Sequence, residues 1–244
     1  SKHIFPTTPL QAADTSRCNS TEILLTHSFE NLDITGGYKS DNFSLFTYGR
    51  GGGMEIIRSN PLLVNVLIRG NNASSGGGVY MYKSTPIFSN VNIRDNFTSE
   101  FFDSDSDLKG GGVYVNFSDP VMNNVRIYNN ISDNGGGIYF IASPLYISNA
   151  LIYENEAYYG SAVFGDSYPQ TSEIAIFNNV TITDNDSQAD NTDFYNNSCS
   201  VVIKNSIIWN DGIYTNISFV SETITDISYS NIEDISGSYT DHEN

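Results

Sequence analysis

The sequence predicts a right-handed parallel β-helix, a solenoid of seven to eight rungs of about 25 residues each, and two recurring patterns predict it. Glycine triplets begin at Gly51, Gly76, Gly110 and Gly135, and a degraded copy, Gly160-Ser161-Ala162, begins one period later. The second pattern is apolar-x-Asn-x-x-Ile, whose Asn falls 14 residues after the start of each intact triplet: Leu63 to Ile68, Phe88 to Ile93, Met122 to Ile127 and Ile147 to Ile152. It recurs around Asn31, Asn179 and Asn205, making seven copies.

Each copy reads as strand. Apolar residues two before, one after and three after the Asn alternate with variable polar ones, a period of two rather than 3.6. If those positions face inward, stacking lines Ile34, Ile68, Ile93, Ile127, Ile152, Ile182 and Ile208 into one buried column. Leu32, Val66, Val91, Val125, Ala150 and Val180 form another beside it. A single rung leaves its apolar face bare, and a stack covers it. The Asn column (31, 65, 90, 124, 149, 179, 205) falls where the alternation breaks. That predicts a turn in left-handed backbone, which Asn tolerates, with amides about 4.8 Å apart bonding from rung to rung. A second set, Asn71, Asn96, Asn130, Asn155 and Asn185, follows six residues later and predicts the next corner. Pro61, Pro86 and Pro120 share a column ahead of the middle strand, where a missing N–H is tolerable.

An antiparallel barrel needs tight hairpins at short intervals, and a leucine-rich repeat needs its Leu framework; neither is present. The organisation that follows is a cap or exchange segment over residues 1–28, with its apolar run Ile23-Leu24-Leu25, a β-helix over 29–232, and a polar tail over 233–244. Charge narrows the partners. With 11 Lys and Arg against 28 Asp and Glu, a net charge of -17 repels nucleic acid and anionic membranes. No window of 18 apolar residues exists, so no membrane insertion by a helix is expected. The start at Ser1 fits a secreted chain whose signal has been removed, and points to an extracellular or cell-surface location.

These repeats resemble those of secreted bacterial right-handed β-helix proteins. More distantly they are similar to the Gly-Gly-Ala-Ile and Phe-x-x-Asn repeats of chlamydial polymorphic outer-membrane proteins. The resemblance covers about residues 29 to 232, and its last part, Asn205 to Asn210 followed by Ile227 to Ile232, looks like the closing rungs of the bacterial group. It implies the fold and secretion. It leaves function open, because such repeats occur in adhesins, surface layers and carbohydrate-active proteins.

Several places could carry chemistry. Tyr38 to Arg50 and Phe97 to Lys109 each hold 13 residues where other copies hold four, so two loops should protrude from one edge. Their aromatics, Tyr38, Phe43, Phe46, Tyr48, Phe97, Phe101 and Phe102, suit contact with a sugar or a protein, or pack down on the coil. Asp103, Asp105 and Asp107 alternate as at the start of a calcium loop, though the Gly and Glu that would complete it are missing. Calcium is the one cofactor suggested. Asp95, Glu154 and Asp184 share an outward column, with Glu154 and Asp184 about 5 Å apart on adjacent rungs, a spacing that permits a glycosidase pair. A lyase would need a basic residue beside them, and the nearest, Arg69 and Arg94, lie at least two rungs from Glu154. Solvated side chains on a β-surface are the simpler reading. Among the Asn-x-Ser/Thr sequons, Asn19, Asn42, Asn72, Asn116, Asn196 and Asn216 are the better glycosylation candidates. Asn96, Asn130, Asn179 and Asn185 belong to the turn columns.

Cys18 and Cys199 lie about six rungs, or about 29 Å, apart, against a limit near 7 Å for a disulfide, which suggests bonds between chains unless the N-terminal segment runs back along the stack. The exposed strand edges of a solenoid likewise invite a neighbour. The sequence therefore predicts a non-catalytic, secreted structural or cell-surface β-helix whose partner is a copy of itself, joined end to end as a fibre or surface-layer subunit. Two alternatives stay open: a polysaccharide-binding or polysaccharide-degrading β-helix (a lyase or glycosidase), and a fragment of an adhesin.

Overall fold

The computed structural model describes residues 2–4, 10–11, 27–39, 49–99, 108–166, 174–189, 192–210, 215–219, 225–233, 235–236 and 240–242. Among them every strand pairing is parallel and no helix occurs. Three sheets run side by side along one axis, and the chain visits them in turn on each coil, with the right-handed sense that parallel crossovers adopt.

The long sheet has ten successive positions among the described residues, from Lys2–Ile4 through strands such as Ile87–Arg94, Val121–Tyr128 and Leu145–Tyr153 to Thr240–His242. A second sheet runs from Leu10–Gln11 to Ile235–Ser236, and a third, of short strands, from Tyr38–Lys39 to Asp186–Ser187. The pairing thus runs past both ends of the 29–232 stretch that the landmarks mark. Lys2 to Ile4 pair with Leu32 to Ile34, and Thr240 to His242 with Asp226 to Ser228. Neither outer strand has an Asn landmark, because backbone pairing needs none.

Inside, the expected columns are present. Ile34, Ile68, Ile93, Ile127, Ile152, Ile182 and Ile208 are all buried, and successive members pair in register. Burying each such side chain is worth about 1.5–3 kcal/mol, so the column is a main source of stability. Phe88, Met122, Ile147 and Phe177 stack beside it, and Val79, Val113, Ile138, Val163 and Phe194 face them from the second sheet.

Asn31, Asn65, Asn90, Asn124, Asn149, Asn179 and Asn205 all have φ between 51° and 57°, the left-handed turn that the broken alternation predicts. Their exposed amides form a ladder whose donors point back to the earlier coil, as in Asn65 Nδ2 to Asn31 Oδ1 at 3.2 Å and Asn179 to Asn149 at 2.7 Å. At two steps the acceptor is the residue before the column: Asn149 donates to Asn123, and Asn205 to Asn178.

The second asparagine set lies inside. Asn71, Asn96, Asn130 and Asn155 are fully buried, and Asn185 nearly so. Asn96 Nδ2 donates to Ile68 O at 3.1 Å and to Asn130 Oδ1 at 3.0 Å, while Asn96 Oδ1 accepts from the N–H and Nδ2 of Asn71. Both donors and both acceptor sites are therefore used. Here the bonds from amide to amide point towards the later coil, while the second N–H of each amide returns to a carbonyl of the earlier one.

The glycine triplets face this ladder. Gly76 adopts φ 64°, and a Cβ on Gly77 would lie 2.4 Å from Phe97 O and 2.6 Å from Gly111 O, so the second position of a triplet needs a bare backbone. A serine ladder was not foreseen: Ser84 N–H donates to Ser118 Oγ, and Ser118 N–H to Ser143 Oγ. On the outer side of the second sheet Tyr80, Tyr114, Tyr139, Phe164 and Tyr195 form a row with ring centroids 4.8–5.2 Å apart, edge to face from Tyr80 to Tyr139 and stacked from Tyr139 to Tyr195. Arg50 lies over Tyr80 and Lys109 over Tyr139, each at 5.2 Å.

Candidate functional site

Function on such a rod falls to side chains that point outward, and the outer face of the long sheet carries two distinct halves. On the half following the asparagine turn, Arg69, Arg94, Tyr128, Tyr153, Thr183 and Trp209 pair in register and form one outward column. Tyr128 and Tyr153 stack face to face at 4.7 Å, so each hides a ring face from any ligand. Burial pushes the Tyr153 hydroxyl above its ordinary pKa, with the neighbouring Tyr128 and Glu154 adding to the shift.

The next column is a second left-handed turn that holds the three carboxylates together with Asn129: Asp95, Asn129, Glu154 and Asp184 all have φ of 52–55°. The Glu154 N–H donates to Asp184 O at 3.0 Å, which confirms the adjacent coils. Asp95 sits apart, because Asn129 occupies the coil between it and Glu154. Its carboxylate pairs with Arg94 and accepts from Asn129 Nδ2 at 3.3 Å. Asp95, Asn129, Glu154, Glu156, Phe97 and Ile131 line a shallow depression of about 380 Å³. Arg69 is held by Asp33 through two contacts of 3.0 and 3.2 Å, which keep its guanidinium above the usual arginine range and unable to act as a base. Among the described residues the site therefore brings together one adjacent carboxylate pair, to which no Lys or Arg is joined by an ion pair.

Other sequence-derived candidates scatter. Tyr38 and Phe97 are exposed and in register on the third sheet through Asn72, whereas Phe43, Phe46, Tyr48, Phe101 and Phe102 lie outside the described residues. So do Asp103, Asp105 and Asp107; among the described residues no group of three or more His, Cys, Asp or Glu is placed to hold a metal. Of the sequons, Asn19 and Asn42 and the side chain of Asn216 are outside the described residues. Asn196 is fully buried, donating to Cys199 O and accepting from Cys199 N–H, so the folded coil has no room for a glycan there. Asn72 is 9% exposed and bonded to Ser99, which excludes it on the same ground. Asn116 stays partly exposed, its Nδ2 on the Tyr80 hydroxyl. Cys199 packs in the apolar core, so a bond between chains through it requires that coil to open, and Cys18 lies outside the described residues.

The half before the asparagine turn was not read as a site. Leu62, Ile87, Val121, Tyr146, Ile176 and Val202, three residues ahead of each Asn, pair in register and point outward. Ile87 is 47% exposed, Val121 42% and Tyr146 44%. The signal was available: an apolar residue recurs in a column where the alternation calls for a polar one.

A family model described as a right handed beta helix region matches residues 26–173, more than half of the chain. The chain belongs to the right-handed β-helix family. No curated protein and no solved structure matches this β-helix. Among its described residues no helix is long and apolar enough to cross a membrane.

Proposed function

We propose that this β-helix is a secreted, non-catalytic structural or cell-surface protein whose copies associate end to end as a fibre or surface layer. The observation that supports it is the unbroken parallel pairing of the long sheet, in which each coil presents the edge on which the next forms. Lys2–Ile4 and Thr240–His242 each pair on one side among the described residues, so another copy can continue the ladder at either edge. The engagement of Asp95 by Arg94 and of Arg69 by Asp33 supports a structural over a catalytic role. Ten positions at about 4.8 Å give a rod of about 45–50 Å. Electron micrographs of native protein should show filaments many times that length, with one width. Single rods of one copy's length, at any concentration tested, would overturn the proposal. A depolymerising activity lost on Glu154→Gln or Asp184→Asn would favour the carbohydrate-cleaving alternative.

A further inference from the structure

The outer strip before the asparagine turn is an uncharged island on a chain of net charge -17. Across five coils its three outward columns hold no ionisable group except the Tyr146 phenol. One is the apolar ridge from Leu62 to Ile176; the next is Val64, Ser89, Asn123, Ser148 and Asn178; the third is the asparagine ladder from Asn65 to Asn179. Charge begins at its borders, with Arg69, Arg94 and Arg126 along one side, Lys83 and Asp119 along the other, and the Lys204–Asp226 pair at one end.

We infer that this strip binds an extended, uncharged polysaccharide lying along the rod axis. Three properties select that ligand class. The apolar ridge fits the C–H faces of sugar rings, and Tyr146 adds an exposed aromatic. Each ladder amide gives one N–H to its neighbour and keeps the other, and the oxygens of Asn65, Asn90 and Asn149, each accepting one ladder bond, keep an acceptor site. A surface offering donor and acceptor side by side at every coil matches hydroxyl groups, which are both, and gives a carboxylate or phosphate no counter-charge. The shape decides between a polymer and a protein. Five coils span about 19 Å, and four residues of strand about 10 Å, so the strip covers roughly 300 Å² with its margins, well below the ~800 Å² per partner of a stable protein interface. A single linear glycan needs only such a narrow track.

Affinity electrophoresis of the whole chain through gels containing a soluble β-glucan, galactomannan, xylan or hydroxyethylcellulose tests the inference, with polygalacturonate as the anionic control. Retardation is expected in at least one neutral gel and not in polygalacturonate, and it should persist at high salt. Val121→Asp and Tyr146→Ala should each weaken it at least tenfold, and Trp209→Ala, on the other half of the face, should leave it unchanged. Circular dichroism melting curves confirm that each variant folds. The inference is overturned by mobility unchanged in all four neutral gels, by retention that survives Val121→Asp in a folded variant, or by a strip that mediates pairing of two copies, seen as a dimer in sedimentation that the same variants dissociate. Because filament formation uses strand edges and not this face, loss of glycan binding with filaments intact separates this inference from the proposed assembly.

Discussion

The amide of Asn130 has all four of its hydrogen-bonding positions occupied inside the rod, whereas that of Asn124, six residues earlier, faces solvent at a left-handed turn. Asn130→Ala strands the Asn96 N–H and Nδ2 and the Ile93 carbonyl, at about 1–3 kcal/mol for each buried group left unpaired. We therefore expect a loss of about 3–5 kcal/mol in urea unfolding. Asn124→Gly keeps the backbone conformation and should change stability by less than about 0.5 kcal/mol. Cys199 offers a second residue-level test. Buried in the core, it should react with iodoacetamide roughly 100-fold more slowly in the native chain than in urea; rapid native labelling would show that the seventh coil opens and would restore the thiol as a link between chains.

At the scale of strands and turns, the triplets are the tightest constraint. A Cβ on Gly111 would lie 2.5 Å from Ile131 O and 2.6 Å from Gly136 O, so Gly111→Ala should cost about 2–3 kcal/mol, read as a fall in melting temperature. Ser161, one coil beyond Gly136 in that column, hydrogen-bonds Asp193 at 3.0 Å, and Ser161→Gly should cost only about 1 kcal/mol. The tyrosine stack sets an alkaline limit. Burial holds Tyr80 above its ordinary pKa, so below pH 10 it is neutral in both folded and unfolded chains. Above pH 10 the unfolded chain ionises first and binds fewer protons, and stability falls until the folded pKa is reached. Melting temperatures measured from pH 8 to 12 should drop less steeply in Tyr80→Phe.

Much of this element-level order was legible from spacing alone. The isoleucine column, the left-handed asparagines and the second asparagine set after them are each fixed by one repeated residue type, and chance does not repeat a residue at constant phase five to seven times. The serine ladder and the outward apolar ridge were missed because Ser84 and Ile87 look ordinary singly and gain meaning only from neighbours above and below. Sequons marked Asn72 and Asn196 as acceptors, yet a sequon carries no information about which way a side chain turns. Lys2–Ile4 went unseen because it joins the sheet through its backbone.

For the whole molecule, a stack in which each coil touches only its neighbours loses structure from its outer coils more readily than from its middle. Hydrogen exchange should therefore be slowest for Val125 to Tyr128 and the adjacent coils, and fastest for Lys2 to Ile4; uniform protection would mean that the rod unfolds as one unit. The two asparagine ladders bear on how long such a rod can grow. Inside, each amide oxygen faces the preceding coil, and its Nδ2 gives one N–H forward to the next amide and one back to a carbonyl of the preceding coil; outside, the ladder N–H groups point backward and the accepting oxygens forward. Their dipoles oppose, so lengthening the stack does not build up a side-chain field from one tip to the other. A gene that gains or drops one whole repeat then changes the rod's reach while leaving its electrical balance as it was, and length becomes a property that evolution can adjust in steps of one coil.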